Sequence, residues 1–258
     1  MVCGVVQMYD GKARMRAEKV FALYSTFVAL AVGIFATSYI PYQRSIGLTN
    51  GEIFFVEAIY SLSLLICEIP TGLFADRYGR VKSLAIGTGL WALSIGLVAW
   101  AQSFRVEAVL FALCGISHAF LTGADEAWFK DAILAEGRDR EYGSAVSRIS
   151  VYRGFAIWIG GLLGAVCLVF RPGLQWLLAA IMIVASGIIV VRGMLGRGEV
   201  LKPVSEFMAL RQGFAVLKRT SALRFAMAAS LLFTTYWVVQ LQWAPVSFER
   251  DGVRWFVL

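Results

Sequence analysis

Charge is scarce in this chain. Only 16% of its residues are Asp, Glu, Lys or Arg while 59% are hydrophobic, against about 25% and roughly 45 to 50% in ordinary soluble domains. So little charge cannot cover a water-facing surface, which excludes a soluble globular domain and leaves lipid as the partner of the excess apolar area. Histidine occurs once, at His118, and Cys3, Cys67, Cys114 and Cys167 lack any paired metal-ligand spacing. Neither a metal site nor a disulfide framework is expected, and three of these cysteines fall within apolar runs where they act as small hydrophobes. No nucleophile with its base, no paired ligands and no phosphate loop can be found, so the sequence predicts no enzyme and no cofactor. The first apolar run is too long and too far from the start for a cleavable signal and is followed by no small-residue cleavage site.

What the chain has in abundance is apolar runs. A hydrocarbon core about 30 Å thick takes around 20 helical residues, and seven such spans are predicted, over 20 to 42, 52 to 74, 83 to 102, 106 to 129, 151 to 170, 174 to 192 and 222 to 244. Lys and Arg fix their direction, because short loops rich in them stay in the cytoplasm. With the N-terminus inside, eighteen Lys and Arg lie on inner segments and five outside, with Arg153 in the first turn of span five reaching back to the inner face. This asymmetry accounts for the net charge of +7 without a nucleic-acid partner.

Two inner loops are long, 130 to 150 and 193 to 221. In the second, Phe207, Leu210, Phe214 and Leu217 recur at helical spacing, which fits either a helix lying on an anionic membrane surface or a packed connector helix. The reading is therefore an all-α polytopic membrane bundle: residues 1–192 form six helices, 193–221 a linker, and 222–258 a seventh helix with the start of a second half.

Between spans two and three runs Gly72-Leu73-Phe74-Ala75-Asp76-Arg77-Tyr78-Gly79-Arg80-Val81-Lys82. Gly72 would let helices approach closely, Gly79 would permit a turn with positive φ, and Asp76 beside Arg77 and Arg80 could make charge-assisted pairs. This pattern resembles the signature loop of the major facilitator superfamily. The resemblance implies a latch that holds the cytoplasmic side shut in the outward-facing state, built from Gly72, Asp76, Arg77, Gly79 and Arg80 with an acidic residue at the inner end of the fourth helix, here Asp131. The stretch from Gly123 to Asp131 looks like the end of the fourth helix in poorly characterised prokaryotic facilitators and multidrug-like exporters. Span five, with Gly154, Gly160, Gly161 and Gly164, is similar to the glycine-rich helix of the family's antiporters but lacks the proline expected there, and close packing explains its glycines. Span four lacks the Arg that many drug exporters carry, so proton coupling through that Arg is not carried over.

Ionisable groups inside a bilayer are expensive and are functional candidates by default. Glu57 and Glu68 stand eleven residues apart, on one face of span two. His118, Thr122 and Asp125 follow one another at plus four and plus seven on span four, flanked by Glu126, and this stripe is the expected substrate or proton site. A helix–helix hydrogen bond for His118 and a bracing role for Glu68 are the structural alternatives. The family lines its cavity with helices one, four and seven, which brings in Thr26, Gly33 and Thr37 on span one and Tyr236, Gln240 and Trp243 on span seven.

The resemblance implies a secondary active transporter of the cell inner (plasma) membrane that moves a small solute by alternating access, with protons as a possible coupling partner and export as one direction. Family members carry twelve or more helices in two halves, whereas the chain stops at Leu258. The alternative is a truncated or nontransporting fragment, or a half that works only after self-association or with a missing C-terminal half.

Overall fold

A computed structural model describes residues 15–196 and Ser221. Eight α-helices follow one another there: α1 (Ala17–Ala36), α2 (Tyr39–Ser45), α3 (Asn50–Tyr78), α4 (Arg80–Val98), α5 (Phe104–Leu121), α6 (Ala124–Ala135), α7 (Tyr142–Phe170) and α8 (Leu174–Ile189). A 3₁₀ turn over Asp139–Glu141 precedes α7, and a π-helical turn over Val190–Met194 ends the described bundle. The protein is thus an all-α polytopic bundle, and its described part holds six helical segments long and apolar enough to cross a membrane. Span seven, with Tyr236, Gln240 and Trp243, and nearly all of the 193 to 221 segment lie outside the described residues.

Three boundaries differ from the sequence reading. The first span does not run straight from 20 to 42: α1 ends at Ala36, and α2 starts afresh at Tyr39. Pro41 has no N–H to give to a carbonyl four residues back, so an unbroken helix would lose a bond there. The chain turns instead, with Ser38 N–H donating to the Phe35 carbonyl at 3.1 Å and Ser38 Oγ taking over the Ile34 carbonyl at 3.0 Å. The fourth span is likewise two helices, because Gly123 adopts φ 76° and Thr122 leaves the helical region. Finally, most of the expected 130 to 150 loop is helical, since α6 continues to Ala135 and α7 begins at Tyr142.

Local chemistry explains the best-formed end. The Thr49 side chain accepts from Glu52 N–H at 3.3 Å while the Glu52 carboxylate accepts from Thr49 N–H at 2.9 Å, a capping box that starts α3.

The helices pack in the order α7, α1, α8, α4, α5, α3, each against the next. Helices α3 and α7 therefore stand at the two flanks, each with one main neighbour. Lipid removes the hydrophobic drive between helices, so close backbone approach has to hold them together. The α1–α7 seam is built that way: a Cβ on Gly33 would run into the Ile157 carbonyl, one on Gly160 into that of Leu30, and one on Gly164 into that of Ile34. Gly154, by contrast, has nothing within 4 Å, so close packing accounts for only part of the glycine run. Trp91, Trp128 and Trp176 are fully buried, and Phe129 of α6 stacks on Phe21 of α1 with ring centroids 4.3 Å apart.

Candidate functional site

The α3–α4 corner is a single residue. Helix α3 runs on through Asp76 and Arg77 to Tyr78, and Gly79, at φ 105° and ψ 140°, is both the end of one helix and the start of the next. A Cβ is strained at that φ, which is why the corner needs glycine. Arg80, in the first turn of α4, forms an ion pair with Asp131 of α6, both side chains 28% exposed. Asp76 and Arg77 are exposed and lie outside that pair, Arg77 lying over the Tyr78 ring with its guanidinium carbon 5.4 Å from the centroid. Gly72 has open space where a Cβ would stand among the described residues.

The corner is moored to the break between α5 and α6. When a helix ends, its last carbonyls lose their intrahelical donors. Thr71 Oγ1 of α3 lies 2.8 Å from the Ala119 carbonyl, and Ser83 Oγ of α4 donates to the Phe120 carbonyl at 2.7 Å. Ser83 thus satisfies one carbonyl at the end of α5, and the single Thr71 proton is shared between that of Ala119 and the Cys67 carbonyl of its own helix, also at 2.8 Å, so a shift of α3 and α4 also disturbs the α5–α6 joint.

That joint divides the expected polar stripe. His118 stays on α5, where its ring meets Trp91 at 4.4 Å between centroids and Tyr60 edge-on at 5.6 Å. Thr122 is exposed and folds back, its hydroxyl donating to the His118 carbonyl at 2.8 Å. Asp125 begins α6 and accepts from Glu126 N–H at 2.8 Å, with Tyr24 of α1 and Arg153 of α7 as electrostatic neighbours. Glu126 itself is exposed. A straight-helix wheel placed His118 and Asp125 on one face; the left-handed Gly123 turns them toward different helices.

Glu57 and Glu68 also part company. Glu68 is exposed, whereas Glu57 is half-buried and stands beside the Tyr39 hydroxyl without a well-formed hydrogen bond between them. Tyr60, one turn on from Glu57, leads from that carboxylate to His118. The His118 Nδ1 lies 3.1 Å from the Cys114 carbonyl. A carbonyl only accepts, so in the neutral ring Nδ1 carries the proton and Nε2 is left as an acceptor. On span one, Thr37 Oγ1 donates to the Gly161 carbonyl at 3.2 Å and Gly33 is buried against α7, so both serve the α1–α7 seam.

Two polar groups escaped the sequence reading. At the Gly79 end, Glu18 accepts from Arg138 at 2.9 Å and from Arg148 at 2.6 Å, and Arg138 also meets Glu136 and Glu141. Glu136 caps α1 by accepting from Ala17 N–H at 2.8 Å. At the opposite end, Gln43 of α2 and Glu107 of α5 are both fully buried and hydrogen-bonded at 2.5 Å. The signal for Glu107 was present, a lone carboxylate in the first turn of an apolar span; its partner on α2 is 64 positions away and follows no motif. Among the described residues no group of His, Cys, Asp and Glu is arranged to hold a metal ion.

The family model described as Major Facilitator Superfamily matches residues 21–256. The Uncharacterized MFS-type transporter MJ1560 of Methanocaldococcus jannaschii is 28% identical over 149 residues, covering 57% of this chain and 38% of that protein. The Uncharacterized MFS-type transporter YxaM of Bacillus subtilis is 28% identical over 121 residues, 47% of this chain and 30% of its own length. Multidrug resistance protein 2 of Bacillus subtilis is 27% identical over 145 residues, with coverages of 55% and 35%. The chain thus spans about a third of the length of these relatives.

Proposed function

The chain belongs to the Major Facilitator Superfamily, and on that premise we propose that it serves in a secondary active transporter that carries a small solute across the membrane by alternating access. The observation that carries the proposal is the Gly79 corner, whose Arg80–Asp131 pair spans two helices while the hydroxyls of Thr71 and Ser83 hold the α5–α6 joint. In this reading the corner faces the cytoplasm of the cell membrane, with the N-terminus inside. Residues 72–80 and Asp131 act as the latch between two conformations, and breaking the pair shifts their balance.

His118, Tyr60 and Trp91 form the solute or proton site, with Glu57 at its edge. Nε2 is the lone pair that would take a proton or meet a solute N–H or O–H donor, beside the rings of Trp91 and Tyr60. The kinship with Multidrug resistance protein 2 makes export the favoured direction. A second reading, in which transport requires another half or copy, is supported by α3 and α7, whose Phe55, Leu65, Trp158 and Leu162 are 60%, 65%, 76% and 64% exposed.

The test is uptake of a panel of lipophilic cations into inverted vesicles, with a proton gradient imposed and without one. Gradient-dependent accumulation should fall by up to about fivefold in Arg80→Ala and Asp131→Asn and return in the charge-swapped double variant. Undiminished uptake in both single variants would remove the latch. Absence of uptake for every solute, with the chain inserted and folded, would favour the second reading.

A further inference from the structure

Glu107 is 0% exposed and so is Gln43. The amide Nε2 of Gln43 donates to Glu107 Oε2 at 2.5 Å. Each side chain then has one atom left over, Gln43 Oε1 and Glu107 Oε1, buried and without a hydrogen-bond partner, and the buried Tyr39 hydroxyl is in the same condition.

Among the described residues the surroundings offer no positive charge. Helix α2 contributes Tyr39, Tyr42 and Gln43, and Tyr42 spends its hydroxyl on the Val98 carbonyl at 2.9 Å. Helix α3 contributes Glu57, a like charge; the end of α4 contributes backbone carbonyls; α8 contributes Trp176, whose ring meets Tyr39, Tyr42 and Phe111, with Gln175 beside it. On α5 itself Arg105 is exposed, and Arg44 of α2 is bonded to Asn50. A buried carboxylate with one donor and no cation is held at great cost, since a charge removed from water needs a partner or full hydrogen bonding.

One proton resolves the mismatch. Placed on Glu107 Oε1 it turns an acceptor into a donor, and the carbonyl arm of the same amide, Gln43 Oε1, is itself buried without a donor. Acid and amide then pair through two antiparallel hydrogen bonds, N–H to Oε2 and O–H to the Gln43 carbonyl, and no charge remains buried. We propose that Glu107 is a proton-binding site, its carboxyl carrying a proton shared with Gln43 and clasping α2 to α5 at the end of the bundle opposite Gly79. Protonation adds one proton to the carboxylate and nothing else; the proton leaves when α2 and α5 part and water enters to take it. The inference does not depend on the transport reading.

The experiment is infrared spectroscopy of the full chain in lipid nanodiscs. At neutral pH the wild type should show a carboxylic-acid carbonyl band that Glu107→Gln removes, while Glu107→Gln keeps a thermal midpoint within about 2 °C of wild type and Glu107→Ala lowers it by more than about 4 °C. Gln43→Ala keeps Glu107 and should move the band upward in frequency, because its carbonyl loses the amide donor; this holds the proposal to account even where Glu107→Gln does not fold. An unchanged acid band in Glu107→Gln, or none in the wild type, overturns the proposal. So does stabilisation by sodium ions that Glu107→Gln abolishes, since that marks a metal cation in place of the proton.

Discussion

His118 is held by its ring and not by its charge. Trp91 and Tyr60 lie 4.4 and 5.6 Å from it, and Nδ1 is occupied by the Cys114 carbonyl, which leaves one nitrogen free for chemistry and little freedom to reorient. A substitution that keeps a flat ring but removes the nitrogens separates packing from function. His118→Phe should leave thermal stability within about 1 kcal/mol of wild type, because a near-isosteric ring replaces another, and should abolish gradient-driven uptake in vesicles. Wild-type uptake in His118→Phe would return His118 to the helix-packing role. The Arg80–Asp131 pair is different in kind. At 28% exposure on each side its static contribution is that of a surface pair, about 0 to 1 kcal/mol. Such an amount is small for folding, yet it changes the ratio of two conformations by up to about fivefold.

Helix by helix, glycine content alone does not tell a close crossing from open space. Gly164 and Gly154 lie on the same helix, yet a Cβ on the first would overlap the Ile34 carbonyl while one on the second meets nothing within 4 Å. Gly164→Ala should therefore destabilise the chain by about 1 to 3 kcal/mol, the usual result of overpacking, whereas Gly154→Ala should be neutral or gain about 0.5 to 1 kcal/mol from helix propensity. Denaturant titration in mild detergent measures both, and equal effects would remove the α1–α7 seam as the reason for these glycines. The same contrast marks what the sequence could reveal. Spans of about 20 apolar residues were legible because hydropathy depends on composition, and the positive φ of Gly79 was legible because a glycine stood in a short charged stretch, although that stretch, read as a turn over 72 to 82, is helical on both sides of Gly79. The breaks at 37–38 and 122–123 were not, since Ile40, Tyr42, Ala124 and Trp128 continue the apolar run on the far side of each turn. The helical start of α7 was hidden by its charge: Arg148 pairs with Glu18 of α1, 130 positions away, and such long-range pairing leaves no local periodicity. For the same reason the Gln43–Glu107 pair needed three-dimensional coordinates.

For the molecule as a whole, the alternation of helix directions gathers the basic residues at one end. Lys19, Lys82, Lys130, Arg138, Arg140, Arg148 and Arg192 belong to the end that holds the Gly79 corner, whereas Arg44, Arg105 and Arg171 belong to the other. Short loops rich in Lys and Arg are retained in the cytoplasm, so the corner should face inward. Gln102 in the α4–α5 turn and Asp139 before α7 are both exposed and lie at opposite ends, which makes them suitable reporters. In a background with the four native cysteines replaced, Gln102→Cys should react with a membrane-impermeant maleimide on intact cells, and Asp139→Cys only after permeabilisation. The reverse pattern would turn the bundle over and put the Arg80–Asp131 pair outside, where it could no longer close a cytoplasmic gate. Labelling of both sites on intact cells would mean two insertion modes, a result that the strength of the charge asymmetry argues against.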